Sequence, residues 1–73
     1  MAPVQPRQQF AHNLRQQRLR RGLSQEALGH AAGLHRTEIS LLERAGRDPR
    51  LSTITRLAHA LDIRPAALLR GIE

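Results

Sequence analysis

Arg36, Thr37 and Glu38 stand side by side, and Arg44, Arg47 and Arg50 follow them at short intervals. An arginine fork can grip guanine O6 and N7 in a bidentate contact, or hold a phosphate in the same geometry. Thr37 can hydrogen-bond a base or touch a thymine methyl. A carboxylate at Glu38 is repelled by phosphates. It could instead accept from cytosine N4, orient Arg36 through a salt bridge, or simply face solvent. Leu41 is either partly buried or set against a thymine methyl. Arg44, Arg47 and Arg50 are candidate phosphate clamps, with Ser40 a weaker one. Such contacts position a protein on a duplex without reading its sequence. The competing reading of so many charges is a solvated face.

These side chains need elements to aim them, and the flanking sequence supplies short helices. Phe10, Leu14 and Arg18 fall four residues apart and predict a helix over 7–21, ended by Gly22. Ser24 is a good N-cap for a second helix, with Glu26 in its first turn and Ala27, Leu28, Ala31 and Ala32 as a small apolar face. Gly29 lowers helix propensity by about 1 kcal/mol relative to Ala. Its presence in so short a helix suggests a close crossing there. Gly33 breaks that helix, Leu34 is a core plug, and a third helix is predicted over 36–44 with Ile39 and Leu42 facing inward. A basic loop over 45–51 follows. Ser52 is expected to cap a fourth helix, carrying Ile54, Leu57, Ala58 and Leu61. Pro65 opens a fifth helix, bearing Leu68 and Leu69, which fades near Gly71. No strand pattern and no repeat occurs. The expected fold is all-α, with five helices and short connections.

Length and charge narrow the function classes. Seventy-three residues make one domain over 7–73, close to the lower limit for folding without a staple. There is no Cys, hence no disulfide and no thiolate metal site. The formal charge is +6, and all 12 basic residues are arginine. A GC-rich genome would account for Arg in place of Lys, but not for the excess of positive charge. That excess points to a polyanionic partner. His12, His30, His35 and His59 lack paired metal-ligand spacing. No nucleophile–base pair or phosphate-cradling Gly loop is evident, so neither metal, cofactor, small-molecule ligand nor catalysis is expected. Residues 1–6 read as a disordered arm. With no signal peptide and no membrane span, a cytoplasmic protein is expected.

Gly29, Gly33, Ile39 and Leu42 together meet the needs of a helix-turn-helix: a small residue at the crossing, a turn tolerant of positive φ, and apolar plugs. With Gly22 to Leu28, Ile39 to Arg44, Leu51 to Ile54, Leu57 to Ile63 and Pro65 to Leu69, the chain resembles the Cro/cI-type (Xre) regulators of phages and bacteria. The resemblance spans about Phe10 to Leu69. Leu34 to Ser40 looks most like the controller proteins of restriction–modification systems, which are small stand-alone dimers. The resemblance implies a lambda-repressor-like domain with a helix-turn-helix formed by the second and third helices. It implies a buried ion pair between Arg18 and Glu43, a phosphate contact at Gln25, and a place close to DNA for Arg47. Two departures stand out. Ala45 replaces the usual Gly after the third helix, so either it takes positive φ or Gly46 does and the loop shifts. His35 replaces a more typical Ser or Asp cap.

The expected function is therefore a sequence-specific regulator of transcription that enters the DNA major groove through Arg36, Thr37, Glu38 and Leu41. One such domain makes too few base contacts, so a homodimer on a palindromic operator is expected. Ile63, Leu68, Leu69 and Ile72 are its interface candidates, unless Ile63 and Leu68 complete the monomer core. An antitoxin or anti-repressor that uses the same fold to bind protein is the main alternative. RNA binding through Arg15 to Arg21 is a weaker one.

Overall fold

The apolar periods close into five helices in the computed structural model, which describes residues 5–73. The first is α1 (Pro6–Arg20), followed by α2 (Gln25–Ala32), α3 (Arg36–Glu43), α4 (Leu51–Ala60) and α5 (Pro65–Leu68). No strand occurs among the described residues. Most of the expected arm, residues 1–4, lies outside them. Pro6 does not belong to an arm: it is the first residue of α1, where its missing N–H removes no helical hydrogen bond.

α1 packs on α3 and α5, α2 on α3 and α4, and α4 on α5. Phe10, Leu14, Leu28, Ile39, Leu42, Leu57, Leu61 and Leu68 are fully buried where these helices meet. Leu34 and Ile63 pack against that core while staying partly exposed. The apolar face of α2 is narrower than the sequence implied. Leu28, Gly29 and Ala32 are buried, whereas Ala27 and Ala31 are exposed. Among the described residues, no helix is long and apolar enough to cross a membrane.

The turn between α2 and α3 sets the angle of everything that follows. Gly33 ends α2 at φ 70, a left-handed conformation that a side chain would strain. The Leu34 amide then donates to the Gly29 carbonyl at 2.8 Å. A methyl at Gly29 would lie 2.6 Å from the Leu34 carbonyl oxygen and 3.3 Å from the Arg36 nitrogen. The close approach at Gly29 is thus made by the turn and the first residue of α3, with backbone that has nowhere to go.

α4 begins differently from its expected form. Its N-cap is Arg50, with extended backbone (ψ 154) and no side-chain hydrogen bond. The Ile54 amide donates to the Arg50 carbonyl at 3.0 Å, so the helix is already closed when the chain reaches Ser52. Ser52 therefore lies inside the first turn, and the basic loop ends at Arg50. Burial of Thr53 and Ile54 against the core sets this start. A hydroxyl two residues later could not set it.

Candidate nucleic-acid interface

Arg18 holds α1 to the end of α3. Its Nε donates to Glu43 Oε2 at 2.6 Å and its Nη2 to Glu43 Oε1 at 2.9 Å, a two-pronged fork. Its Nη1 donates to the Leu23 carbonyl at 2.8 Å. Both side chains are buried, at 11% and 4% exposure. The hydrogen bond to Glu43 holds the Arg18 guanidinium above its ordinary pKa, against the opposing effect of burial. Arg18 thus keeps its charge beside Glu43. Gln25 joins the pair, its amide donating to Glu43 Oε1 at 3.2 Å.

This clamp fixes α3 so that its first turn stands clear of the body. Arg36 and Thr37 are exposed there, and Ser40 is half-buried. Arg36 lies on the rim of a groove whose wall also includes Arg18, Ser24, Gln25, Thr37 and Ser40. A second groove on the other side of α3 is lined by Thr37, Glu38, Arg47 and Arg50, together with His35, Ser52 and Arg56. Thr37 is common to both and marks the ridge between them. The structure therefore brings Gln25, Arg36, Thr37 and Ser40 together on one side, and Glu38, Arg47 and Arg50 on the other.

Glu38 does not orient Arg36. Its carboxylate accepts from Arg47 Nη1 at 2.5 Å, nine residues along the chain and across the loop. The carboxylate near Arg36 belongs to Glu26, at 3.8 Å between two exposed side chains. Such a pair contributes little and leaves the guanidinium available. Leu41 leans back over the loop: a methyl on Gly46 would lie 2.6 Å from its Cδ1. Its half-burial is thus explained by Gly46, which leaves it room. Arg44 donates its Nε to the Ser40 carbonyl at 3.3 Å. Arg44, Arg50 and Arg56 have no carboxylate partner among the described residues.

The loop carrying Arg47 is set by Ala45, which adopts φ 58, whereas Gly46 does not take positive φ. Ala45 itself accepts the left-handed turn, and the loop keeps its register. The Gly46 amide closes it by donating to the Leu41 carbonyl at 3.0 Å. Left-handed backbone at a residue with a Cβ costs about 1 kcal/mol. Ala45→Gly is expected to raise stability by up to about that amount in urea melts. A lower midpoint for the glycine variant would show that no strain is stored there. Asp48 ties the far side of the loop to α1 through Arg7, at 3.1 Å.

His35 fills the cap position where Ser or Asp is typical, and Arg56 is a contributor that the residue types did not single out. His35 serves as the N-cap of α3, its Nδ1 accepting from the Thr37 amide at 3.1 Å. Arg56 faces the second groove one helical turn after Ser52. The signal for Arg56 was present as an i, i+4 pair on the polar face of α4, beside the loop arginines. The expected dimer residues are split. Leu69 and Ile72 line a groove with Phe10, Pro6 and Pro49, whereas Ile63 lies in another with Gln17, Arg64 and Arg70. Leu68 is wholly within the core, and Ile72 also packs against it.

Comparison with known proteins shows what this scaffold is. A family model described as HTH_3, helix-turn-helix, matches residues 14–68. The chain belongs to this helix-turn-helix family. Among its relatives is the control protein C.SmaI of Serratia marcescens, 45% identical over 60 residues, which are 82% of this chain and 71% of that one. The restriction-modification controller protein C.AhdI from Aeromonas hydrophila superimposes with a TM-score of 0.83 at 42% identity, over 85% of this chain and 94% of that one. The P22 c2 repressor protein, solved in complex with synthetic operator 9T, superimposes with a TM-score of 0.78 at 31% identity, over 85% of this chain and 94% of that one. The described residues are all-α, as their helical periods imply, and the fold is repressor-like, as the family resemblance implies. The protein is a helix-turn-helix DNA-binding regulator of the Cro/cI (Xre) type, and not an enzyme.

Proposed function

We propose that this protein binds a palindromic DNA operator as a homodimer, laying α3 into the major groove of each half-site. The observation that carries this reading is the placement of Arg36. It projects from the first turn of α3, 67% exposed, with no strong partner of its own. That is the position from which a recognition helix reaches base edges. Arg36 grips guanine, and Thr37 faces the neighbouring base. Gln25, Ser40 and Arg44 contact the backbone on one side of the helix, and Arg47 and Arg50 contact it on the other. The Arg50 cap supports the last of these. α4 starts without a side-chain acceptor for its first amides, which suits a phosphate oxygen at that helix end. Glu38 reads through Arg47: pairing neutralises its charge, so it can lie near DNA without repelling it. Leu41 contributes through its exposed edge. Arg18 and Glu43 act structurally, by holding α3 at the angle the groove requires.

The chemistry of the dimer follows from the same economy of contacts. A single eight-residue helix touches too few bases for tight, specific binding. The surface that pairs two copies lies around α5, where Leu69 is 38% exposed and flanked by Ile72. Ile63 contributes only if the pairing surface wraps around α5. The experiment is selection of bound sites from random duplex DNA, with the mass of the complex measured in solution. The expected outcome is a two-fold symmetric site with half-site centres about 34 Å apart, occupied by two copies. Enrichment of no sequence, or of a single asymmetric site held by one copy, would overturn the proposal.

A further inference from the structure

His35 biases the hydroxyl of Thr37 toward one polarity. His35 Nδ1 lies 3.1 Å from the Thr37 amide nitrogen, with the N–H directed at it, and 2.9 Å from Thr37 Oγ1. An amide N–H can only donate. Nδ1 therefore presents a lone pair to it, and the ring proton of the neutral imidazole sits on Nε2. A proton on Nδ1 would oppose the amide hydrogen. With Nδ1 an acceptor, the hydroxyl at 2.9 Å meets the ring favourably only as a donor, sharing the single lone pair with the amide. Its proton is turned inward, and what Oγ1 offers outward is lone pairs. Thr37 is exposed on the ridge between the two grooves, so those lone pairs face whatever lies against α3.

We infer that His35 is a specificity-positioning residue: by accepting the Thr37 hydroxyl proton, it makes Thr37 a pure acceptor that selects a base with an amino donor. In the major groove, adenine N6 and cytosine N4 are such donors, whereas guanine and thymine offer acceptors at their edges. Phosphate oxygens are acceptors only, so the same polarity disfavours a backbone contact for Thr37. This inference rests on the proposed function in one respect, that Thr37 faces a base. His35 needs no contact with DNA. It is exposed at the helix cap and acts through Thr37 alone.

The test compares sites selected from random duplex DNA by the unmodified protein, Thr37→Val, His35→Ala and His35→Asn. The unmodified protein is expected to prefer adenine or cytosine at one position per half-site, by about 5–10-fold. Thr37→Val loses that preference at that position only. His35→Ala loses it to below about twofold, at an unchanged position for Arg36, which also shows that the domain is folded. His35→Asn retains it, because an amide oxygen can accept from both the Thr37 amide and the hydroxyl. If Thr37→Val changes no preference, or weakens all sequences alike, Thr37 does not face a base, and that part of the proposed function fails. If Thr37→Val abolishes a preference for guanine or thymine, or if His35→Ala leaves the preference intact, Thr37 reads a base but His35 does not set its polarity.

Discussion

Glu43→Ala is expected to remove about 3–5 kcal/mol of folding stability. The loss comes from the charge left behind. Arg18 is 11% exposed, and without Glu43 its guanidinium retains only the Leu23 carbonyl as a partner. A buried cation in that state faces desolvation without its compensating anion. Domains of this size hold roughly 0.05–0.15 kcal/mol of stability per residue, so a loss of that order leaves much of the population unfolded. Glu43→Ala should therefore show a greatly lowered urea midpoint and melting temperature. Arg18→Met combined with Glu43→Leu tests the cause. Replacing both charges with apolar groups of similar size should recover most of the loss, since a buried ion pair need not outperform good packing. A single variant with a midpoint within about 1 kcal/mol of the unmodified protein would mean that the pair is solvated in solution. The raised pKa of Arg18 adds no pH dependence in the usual range, because the group stays protonated well above it.

Arg36→Ala is expected to act on binding and leave the fold intact. Arg36 is exposed, and its contact with Glu26 at 3.8 Å is long, so its removal should shift the melting temperature little. A bidentate contact with guanine discriminates by about 1–3 kcal/mol, and two half-sites double the effect to about 2–6 kcal/mol for a dimer. Affinity for the selected operator should fall accordingly, while affinity for unrelated duplexes should fall only by the loss of one charge per protomer. A titration with both DNAs at one salt concentration separates the two. Unchanged operator affinity and unchanged sequence preference would sink the assignment of α3 as the reading element. That outcome would favour a protein-binding role for the same face, in the manner of an antitoxin or anti-repressor.

The interior was the most legible part of the chain. Phe10, Leu14, Ile39, Leu42, Ile54, Leu57 and Leu61 are all buried, as their helical spacing implies. Gly33 likewise announced its left-handed turn. Errors cluster where a local rule competed with packing. Ser52 has the better capping side chain, yet α4 starts at Leu51 with Arg50 as its N-cap, and Thr53 and Ile54 are buried. Ala27 and Ala31 are apolar but exposed, because Ala is small enough to be neutral on either face of α2.

Charged side chains were less legible than apolar ones, for a physical reason. Burial follows the 3.6-residue period of one helix, which short-range sequence determines. An ion pair depends on where two separate helices or loops arrive, and a long side chain can reach several partners. Thus Glu38 beside Arg36 in sequence gave no sign that it would bind Arg47 across the loop. Gln25 gave none that its amide would lean on Glu43. By itself the sequence determined five helices, their core faces, the turn at Gly33 and a basic, Arg-led surface. The tertiary structure alone decided that Ala45 rather than Gly46 bears the left-handed turn, that Leu69 and Ile63 lie in different grooves, and that Glu38 pairs with Arg47 across the loop. Each of these depends on distances between elements, and such distances exist only once the helices have packed.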